Sequence, residues 1–317
     1  MRKRGYRTMY LMMDMGTSNT RLWLCEGDRV LDLKKGAFGA GSTKSHGREY
    51  LVGSLRSLID RILGERGVSE SDVERIIVSG MAGSNIGLYD LPHICLPANA
   101  DTLFESLKEV SLPEVTNIPF LFVPGLKKLD GGQIADVMRG EETETAGIVA
   151  ALPECADAVL VLPGTHNKVI ATDKEGRVTD FFTGFSGELI NIIMNHSILA
   201  GQVAHGLEII DGQVLAGDRY AKESGLNAAV FHVRVMGMNG KSEAEMSSFL
   251  YGAVMGQDVD AINRLALGRK VFVGGRESLR RVYRLLLGES AIPLDEEAAE
   301  NAVRNGLMAL YGRYSRK

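Results

Sequence analysis

Residues 14–21 read Asp14-Met15-Gly16-Thr17-Ser18-Asn19-Thr20-Arg21 and lie between two runs that are typical of β-strands. A similar segment near the middle of the chain reads Leu162-Pro163-Gly164-Thr165-His166-Asn167-Lys168. Small turn residues let the backbone approach an anion, and their N–H groups and hydroxyls can line a phosphate. The two segments therefore predict two phosphate-binding hairpins, and with them phosphoryl transfer. The Gly-x-x-x-x-Gly-Lys-Ser/Thr pattern of a P-loop is absent around both.

The composition narrows the class of protein. With 317 residues the chain is long enough for one large or two medium domains. Its formal net charge of −4 offers no basic surface of the kind that nucleic acid requires, so we expect no nucleic-acid partner. No apolar run approaches the roughly 20 residues that span a bilayer, so we also expect no membrane partner.

The start of the chain and the cysteines indicate the compartment. Met1-Arg2-Lys3-Arg4 precedes the apolar residues 9–13, a run shorter than a signal-peptide core, which we interpret as a strand. The three cysteines, Cys25, Cys95 and Cys155, are isolated and leave one unpaired in any disulfide scheme. The simplest setting is a reducing cytoplasm.

The first third of the chain predicts a three-stranded meander followed by a helix and further strands. The helix is expected over residues 48–65, because its apolar residues fall on one face at a spacing of three or four. The strands are expected over residues 9–14, 20–26, 29–35, 75–79 and 120–123.

The second half repeats this plan. Strands are expected over residues 158–162, 168–172, 177–182 and 270–273, and helices open at Gly187, after Gly275 and at Asp295. We expect residues 130–150 to form a helix that joins the two halves, whereas the weak periodicity of residues 200–245 assigns no element there.

The repeat predicts an α/β protein with two similar lobes, residues 1–130 and residues 131–317. Ligands of such folds bind outside the strand ends, so the active site is expected in the cleft between the lobes.

The chain resembles the 2-dehydro-3-deoxygalactonokinase family, within the actin, sugar kinase and hsp70 superfamily. The superfamily resemblance lies in the duplicated lobes, the two hairpins and the late Val-Phe-Val-Gly-Gly of residues 271–275. The family resemblance spans most of the chain in six ordered segments, which are Asp-Met-Gly-Thr-Ser-Asn (14–19), Ser-Gly-Met-Ala-Gly-Ser (79–84), Val-Pro-Gly-Leu (123–126), Asp-Val-Met-Arg-Gly-Glu-Glu-Thr (136–143), Leu-Pro-Gly-Thr-His (162–166) and Phe-Leu-Tyr-Gly (249–252).

This resemblance implies two actin-like ATPase lobes of the ribonuclease H-like type, with ATP and Mg²⁺ as cofactors. It implies transfer of the γ-phosphoryl group to the 6-hydroxyl of a small-molecule sugar acid, 2-dehydro-3-deoxy-D-galactonate, in galactonate catabolism. Residues 15, 167–169 and 185–188 depart from the family's usual residues, which keeps a kinase for another small sugar acid or sugar as an alternative. A second alternative is a non-catalytic ATP-binding regulatory protein. The oligomeric state stays open, a homo-oligomer included.

The first hairpin supplies a candidate metal ligand and a phosphate site. Asp14 ends an apolar strand, where its carboxylate could hold Mg²⁺ through water and assist catalysis, or could merely cap the turn. Gly16, Thr17 and Ser18 are the candidate phosphate-binding residues beside it. Arg21 could reach a phosphate or lie at the surface.

Two further glycine-containing segments are candidates for nucleotide binding. Gly164 and Thr165 are expected to face the β- or γ-phosphate, and His166 to position rather than transfer protons. Gly274 and Gly275 follow a buried strand, and the superfamily resemblance implies that they pass close to adenine or ribose.

The catalytic base is a carboxylate near residue 140. A kinase that acts on an alcohol needs a carboxylate within hydrogen-bonding reach of the attacking hydroxyl. By resemblance to carbohydrate kinases, in which an Asp follows a Gly before the second hairpin, Glu141 after Gly140 takes this role. Asp136 and Glu142 remain alternatives.

The substrate residues are expected on two segments. Arg139 can bind the carboxylate of a sugar acid through two parallel hydrogen bonds, or can form a surface salt bridge. Ser79, Gly83 and Ser84 lie on a polar, glycine-containing loop that we expect to face the substrate.

Overall fold

The computed structural model describes residues 9–206 and 208–315, so the basic opening Met1-Arg2-Lys3-Arg4 lies outside the described residues. The chain divides into two compact units. Unit 1 comprises Met1–Pro153 and Asn301–Lys317, and unit 2 comprises Glu154–Glu300. The predicted boundary at residue 130 lies inside unit 1, and the chain returns to unit 1 at its end. The assignment of residues 1–130 and 131–317 as the two lobes stays a prediction.

The described part of unit 1 holds strands β1 to β9 and helices α1 to α4. The strands are β1 (Met9–Met15), β2 (Thr20–Glu26), β3 (Arg29–Gly36), β4 (Val73–Gly80), β5 (Ile94–Cys95), β6 (Lys108–Val110), β7 (Phe120–Phe122), β8 (Leu126–Asp130) and β9 (Gln133–Met138). The helices are α1 (Ser42–His46), α2 (Arg48–Gly64), α3 (Ala100–Glu105) and α4 (Glu141–Ala151), and most of the last helix, α11 (Glu296–Tyr314), also belongs to this unit.

Unit 1 is built on a sheet with the strand order β3-β2-β1-β4-β7-β6 in the described residues. β1, β4 and β7 run parallel, whereas β2, β3 and β6 run antiparallel to their neighbours. The central strands β1 and β4 are almost wholly buried, as their continuous apolar residues require. The predicted meander, helix and following strand are confirmed.

Helix α2 covers one face of this sheet. Its buried residues share one core cluster with Leu11, Met13 and Ile76, and they are Leu51, Leu55, Leu58, Ile59, Ile62 and Leu63. Each such side chain stabilises the fold by about 1.5–3 kcal/mol when it leaves water. The predicted apolar face is therefore the face that packs.

The predicted helix over residues 130–150 is correct only from Glu141 onward. Residues 126–138 form the hairpin β8–β9 instead, with Asp130 opposite Gln133. Gly131 and Gly132 make its two-residue turn with φ of +55° and +82°, and paired positive φ values match the twist of a hairpin. The Asp-Gly-Gly sequence therefore starts a hairpin, not a helix.

Unit 2 holds the remaining described elements. Its strands are β10 (Val159–Leu162), β11 (Asn167–Thr172), β12 (Val178–Gly184), β13 (Val271–Val273) and β14 (Ala291–Pro293). Its helices are α5 (Ser186–His196), α6 (Asp211–Ser224), α7 (Leu226–Met238), α8 (Glu243–Met255), α9 (Val259–Ala266) and α10 (Glu277–Leu287).

The sheet of unit 2 repeats the plan of unit 1. Its order in the described residues is β12-β11-β10-β13-β14, with β10, β13 and β14 parallel and β11 and β12 antiparallel. Each unit thus has a meander whose first strand pairs in parallel with a later strand. The predicted α/β class with two similar lobes is confirmed.

The stretch that the sequence left unassigned contains α6, α7 and the start of α8. Gly217 of α6 and Gly252 of α8 lie at a close helix crossing, because a Cβ on either would come within 2.0 Å of a backbone oxygen of the other helix. Across the described residues, no helix is both long and apolar enough to cross a membrane.

Candidate active site

Asp14 and Arg21 face each other at the carboxyl end of β1. Their backbones are opposite in the β1–β2 register. Asp14 Oδ2 accepts hydrogen bonds from Arg21 Nη2 at 2.7 Å and Nε at 3.0 Å. Such paired, charge-assisted bonds fix both side chains. Arg21 therefore orients the carboxylate of Asp14, the predicted metal ligand, and its contact with a phosphate stays a prediction.

The first hairpin is supported from beneath by the loop before α1. Ala40 N donates to Gly16 O at 3.0 Å, and Gly41 N donates to Thr17 O at 2.8 Å. Thr17 and Ser18 are exposed. The loop thus occupies the carbonyls of the hairpin and leaves the side chains of Thr17 and Ser18 at the surface, where a phosphate can approach.

The start of α4 packs against the end of β4. Gly140 has φ of +114°, and a Cβ there would lie 3.4 Å from the Cα of Gly80. Gly80 itself has φ of +83° and comes so close to β1 that a Cβ would lie 2.5 Å from Met15 O. Both conformations favour glycine. They let α4 begin beside the carboxyl ends of β1 and β4.

Two glutamates at the start of α4 fold back onto the backbone that precedes them. Glu141 accepts a hydrogen bond from Arg139 N at 3.1 Å and is half-buried. Glu142 is buried and accepts from Gly140 N at 2.7 Å and from Thr143 Oγ1 at 3.0 Å. Acidic groups at this end also interact favourably with the helix dipole.

These glutamates form an acidic group with Asp14 and Glu144. Burial, with the charge of Glu141 second, raises the pKa of Glu142 to about 7. Burial, followed by the charges of Glu141 and Asp14, raises the pKa of Glu144 to about 8, whereas Arg21 opposes that rise. Carboxyl groups that perturb one another in this way are typical of functional sites.

Glu144 is not among the site residues predicted from the sequence, although a signal for it is present there. Glu144 follows Glu141 by three residues on α4, and side chains at this spacing lie on the same helix face. Asp136, in contrast, lies on β9, where its Oδ1 accepts from Val137 N at 2.7 Å. Glu141 is thus the candidate base that is half-buried and lies within the acidic group.

The predicted substrate residues lie side by side in unit 1. Arg139 Nη2 donates to Leu91 O at 2.7 Å and lies 3.4 Å from His93 Nδ1. Arg139 Nη1 is buried without a hydrogen-bond partner among the described residues. A Cβ on Gly83 would lie 2.9 Å from this Nη1 atom, so the guanidinium fills the space that the glycine leaves.

The two serines of the predicted substrate loop bond inward. Ser79 is buried, and its hydroxyl donates to Thr143 Oγ1 at 2.7 Å. Ser84 Oγ donates to Met81 O at 2.7 Å. The Ser79 hydroxyl thus ties the end of β4 to the start of α4, whereas the Ser84 hydroxyl closes its own loop. The contact of either serine with a substrate stays a prediction.

The second predicted hairpin lies between β10 and β11. Gly164, Thr165 and His166 are exposed. The start of α5 packs directly on them, because Glu188 N donates to Thr165 O at 2.7 Å and a Cβ on Gly187 would lie 1.9 Å from Gly164 O. The His166 ring forms a hydrogen bond with the Glu188 carboxylate, which agrees with a positioning role.

Gly274 and Gly275 are next to this hairpin. Gly274 N donates to Val161 O at 2.9 Å. Gly275 has φ of +77°, and a Cβ there would lie 3.1 Å from Pro163 O. The structure therefore brings together the two nucleotide segments that the sequence predicted separately.

A cavity of about 690 Å³ lies beside this glycine pair in unit 2. Arg280 lines it and donates to Gly275 O at 2.7 Å, and Leu294 lines it within van der Waals distance of a Cβ placed on Gly274. The other charged residues of its wall are Asp211, Glu277, Arg281, Arg284 and Glu289. Its volume is that of a small-molecule site, and the sequence analysis did not identify it.

The donor set fits a magnesium ion of the kind that accompanies a nucleotide. Among the described residues, no three His, Cys, Asp or Glu side chains have a geometry that would hold a metal ion by themselves. Mg²⁺ at phosphoryl-transfer sites is bound by one or two carboxylates together with substrate phosphates and water. A single carboxylate such as Asp14 meets that requirement.

Comparison with known proteins agrees with this geometry. A model of the 2-keto-3-deoxy-galactonokinase family matches residues 14–310. The 2-dehydro-3-deoxygalactonokinase of Escherichia coli (strain K12) is 29% identical over 251 residues, which cover 79% of this chain and 79% of that protein.

Solved structures extend the comparison. A crystal structure from Sinorhizobium meliloti, described as a "putative 2-dehydro-3-deoxygalactonokinase protein", superposes with a TM-score of 0.77 at 28% identity and covers 96% of this chain and 99% of that chain. The activator of the 2-hydroxyisocaproyl-CoA dehydratase from Clostridium difficile shares the fold at a TM-score of 0.55 and 13% identity, over 97% of this chain and 96% of that chain. The predicted actin-like fold is confirmed. The chain belongs to the 2-keto-3-deoxy-galactonokinase family.

Proposed function

We propose that this protein transfers the γ-phosphoryl group of ATP to the 6-hydroxyl of 2-dehydro-3-deoxy-D-galactonate. The observation that carries this proposal is the family match over residues 14–310. The relative from Escherichia coli, named 2-dehydro-3-deoxygalactonokinase, supports the substrate. The two hairpins and the acidic group of unit 1 provide the parts that phosphoryl transfer to an alcohol needs: phosphate donors and a carboxylate base.

The nucleotide is assigned to unit 2. Backbone N–H groups and the Thr165 hydroxyl of the second hairpin bind its phosphates. The adenosine occupies the cavity beside Gly274 and Gly275. There Asp211 and Glu277 can accept hydrogen bonds from ribose or from the adenine amino group, and an arginine can stack on the base.

Asp14 is assigned to Mg²⁺, which neutralises charge on the phosphates when it is bound. Arg21 occupies Asp14 Oδ2, so Oδ1 is the oxygen that remains for the ion or its water. The exposed residues Thr17 and Ser18 contribute further phosphate donors.

Glu141 is assigned the role of base. Its carboxylate is half-buried within the acidic group and accepts a hydrogen bond from Arg139 N, whereas Glu142 is fully buried and accepts both backbone and hydroxyl hydrogen bonds. Glu141 orients the attacking hydroxyl and accepts its proton late in the transfer.

The sugar acid is assigned to unit 1. Arg139 Nη1, which has no hydrogen-bond partner in the described part of the chain, has capacity that a substrate carboxylate would satisfy once the two come into contact. Ser79, Gly83 and Ser84 shape the loop beside the guanidinium. We place this reaction in the cytoplasm, where a sugar-acid catabolic kinase finds its ATP.

Substitution of Glu141 tests the base. Glu141→Gln keeps the size of the side chain and removes its basicity, so kcat should fall by about 10²–10⁴-fold. The dissociation constants of ATP and the sugar acid should change little, because ATP is assigned to unit 2 and the glutamine amide can still form a hydrogen bond with the substrate hydroxyl. Asp136→Asn on β9 is the matched control and should retain full kcat. A Glu141→Gln protein with near-normal kcat would assign the base elsewhere.

A further inference from the structure

A buried amide holds the second hairpin from behind. Asn167 is 2% exposed, and its Oδ1 accepts a hydrogen bond from Gly164 N at 3.1 Å. Its Nδ2 donates to Asp258 Oδ2 at 3.1 Å and to the Tyr283 hydroxyl at 2.7 Å. The backbone of Gly164 is therefore connected through one side chain to two residues that lie far away in the sequence.

Asp258 is the centre of this arrangement. Among the described residues its Oδ2 accepts hydrogen bonds from Asn167 Nδ2, from Ser186 Oγ at 2.8 Å and from the Tyr283 hydroxyl at 2.7 Å. Ser186 starts α5 and Tyr283 lies on α10. Because all four side chains are at least nine-tenths buried, water competes little for these bonds and they are strong.

The carboxylate determines which way the amide points. A carboxylate offers only acceptors, whereas the asparagine amide has a donor end and an acceptor end. The donor end must therefore face Asp258, which leaves Oδ1 toward the N–H group of Gly164. With the amide reversed, its NH₂ group would face that N–H group, and two donors cannot bond.

We propose that Asp258 is a positioning residue for the phosphate-binding hairpin, acting through Asn167 on the backbone of Gly164. This role rests on the proposed function, in which that hairpin binds the phosphates of ATP. Asp258 itself touches no substrate. Its effect is to present the N–H groups of the hairpin in one fixed arrangement, so that binding the phosphates costs little ordering.

The variant Asp258→Asn replaces a carboxylate, which offers only acceptors, by an amide with one donor end, so the orientation of the Asn167 amide is no longer enforced. Loss of the hydrogen bond to Gly164 N should raise the dissociation constant of MgATP about tenfold. The dissociation constant of 2-dehydro-3-deoxy-D-galactonate, assigned to unit 1, should stay within about twofold, since no contact of unit 1 changes. Both constants are measured by isothermal titration calorimetry on the full chain, with Tm recorded for each protein.

The matched control is Thr172→Val. Thr172 ends β11, the strand that begins with Asn167. Thr172 is buried, as Asn167 is, and its hydroxyl donates to Cys155 O at 2.9 Å. This variant should lower Tm and leave MgATP binding unchanged. Asp258→Asn with wild-type affinity for MgATP, or an equal loss in Thr172→Val, would overturn the positioning role.

A milder variant keeps the test decisive if Asp258→Asn does not fold. Tyr283→Phe keeps the buried ring and removes one donor to Asp258, so the dissociation constant of MgATP should rise about threefold. Unchanged MgATP affinity in Tyr283→Phe would contradict the role. Failure of the wild-type protein to bind MgATP would overturn the proposed function itself, and this role with it.

Discussion

At the scale of single residues, burial raises the pKa of two carboxyl groups in the candidate site, Glu142 and Glu144. Glu142 shows this most clearly, because it is 1% exposed and its pKa is raised from 4.5 to about 7. Its hydrogen bonds to Gly140 N and Thr143 Oγ1 favour the charged form but do not offset burial and the charge of Glu141. A group with such a shift makes stability depend on pH.

The sign of this pH dependence follows from whether the folded or the unfolded state binds the Glu142 proton. Between pH 4.5 and about 7 the folded protein keeps the Glu142 proton, whereas the unfolded chain has released it. The free energy of unfolding should therefore fall as the pH rises through this interval. Glu142→Gln should reduce that fall by on the order of 1–3 kcal/mol.

Urea unfolding at pH 5, 6, 7 and 8 measures this difference. Glu49→Gln is the control, since Glu49 is exposed on α2 and its replacement should leave the pH dependence as in the wild type. Parallel curves for the wild type and Glu142→Gln would show that Glu142 is not held protonated by the fold.

At the scale of secondary-structure elements, close helix crossings depend on glycine. Gly147 of α4 faces α11, and a Cβ there would lie 1.9 Å from Ala302 O. On the other side of this crossing, a Cβ on Gly306 would lie 2.1 Å from Thr143 O. The two helices therefore meet backbone to backbone, directly behind the acidic group.

Gly147→Ala should destabilise the protein by about 3 kcal/mol, because the helices must separate or the backbone must distort. The matched control is Gly53→Ala on α2, where a Cβ meets no heavy atom within 4 Å. That variant should stabilise the protein by about 0.5–1 kcal/mol, since alanine has the higher helix propensity. Chemical denaturation measures the free energy of unfolding of both variants. Equal changes of the same sign would contradict the close crossing of α4 and α11.

Elements with a clear periodicity could be predicted from the sequence, and those defined by tertiary packing could not. The apolar face of α2 and the first meander were evident because local pattern and burial agree. Residues 200–245 have only weak periodicity, and Gly225, with φ of +87°, connects α6 to α7 without a loop that would mark their boundary. At Gly131 and Gly132 the sequence is compatible both with a hairpin turn and with a loop before a helix, and only the pairing of β8 with β9 decides between them.

In the candidate site, too, only the residues that stand in local motifs could be predicted from the sequence. The hairpins and Glu141 stand in short local motifs, so they could be named from the sequence. Glu144 and Asp258 stand outside these motifs and are harder to identify from the sequence. Asp258 lies 91 residues from Asn167, and only the fold brings such side chains together.

At the scale of the whole molecule, the last helix packs against the first strand. Tyr311 of α11 stacks on Tyr10 of β1 with ring centroids 3.7 Å apart, and its hydroxyl donates to Glu74 Oε2 at 2.9 Å. Both rings are buried, so this contact removes a large aromatic surface from water. The strand that carries Asp14 is thus supported by the last helix, which connects the two sequence segments of unit 1.

The measurement that tests the kinase assignment most directly is ADP release from MgATP by the purified protein with a panel of acceptors. We expect saturable turnover with 2-dehydro-3-deoxy-D-galactonate, and far lower kcat/KM with its gluconate epimer and with common hexoses. Turnover on a different acceptor alone would contradict the proposed substrate. MgATP binding without turnover on any acceptor would contradict the kinase assignment and support a regulatory protein.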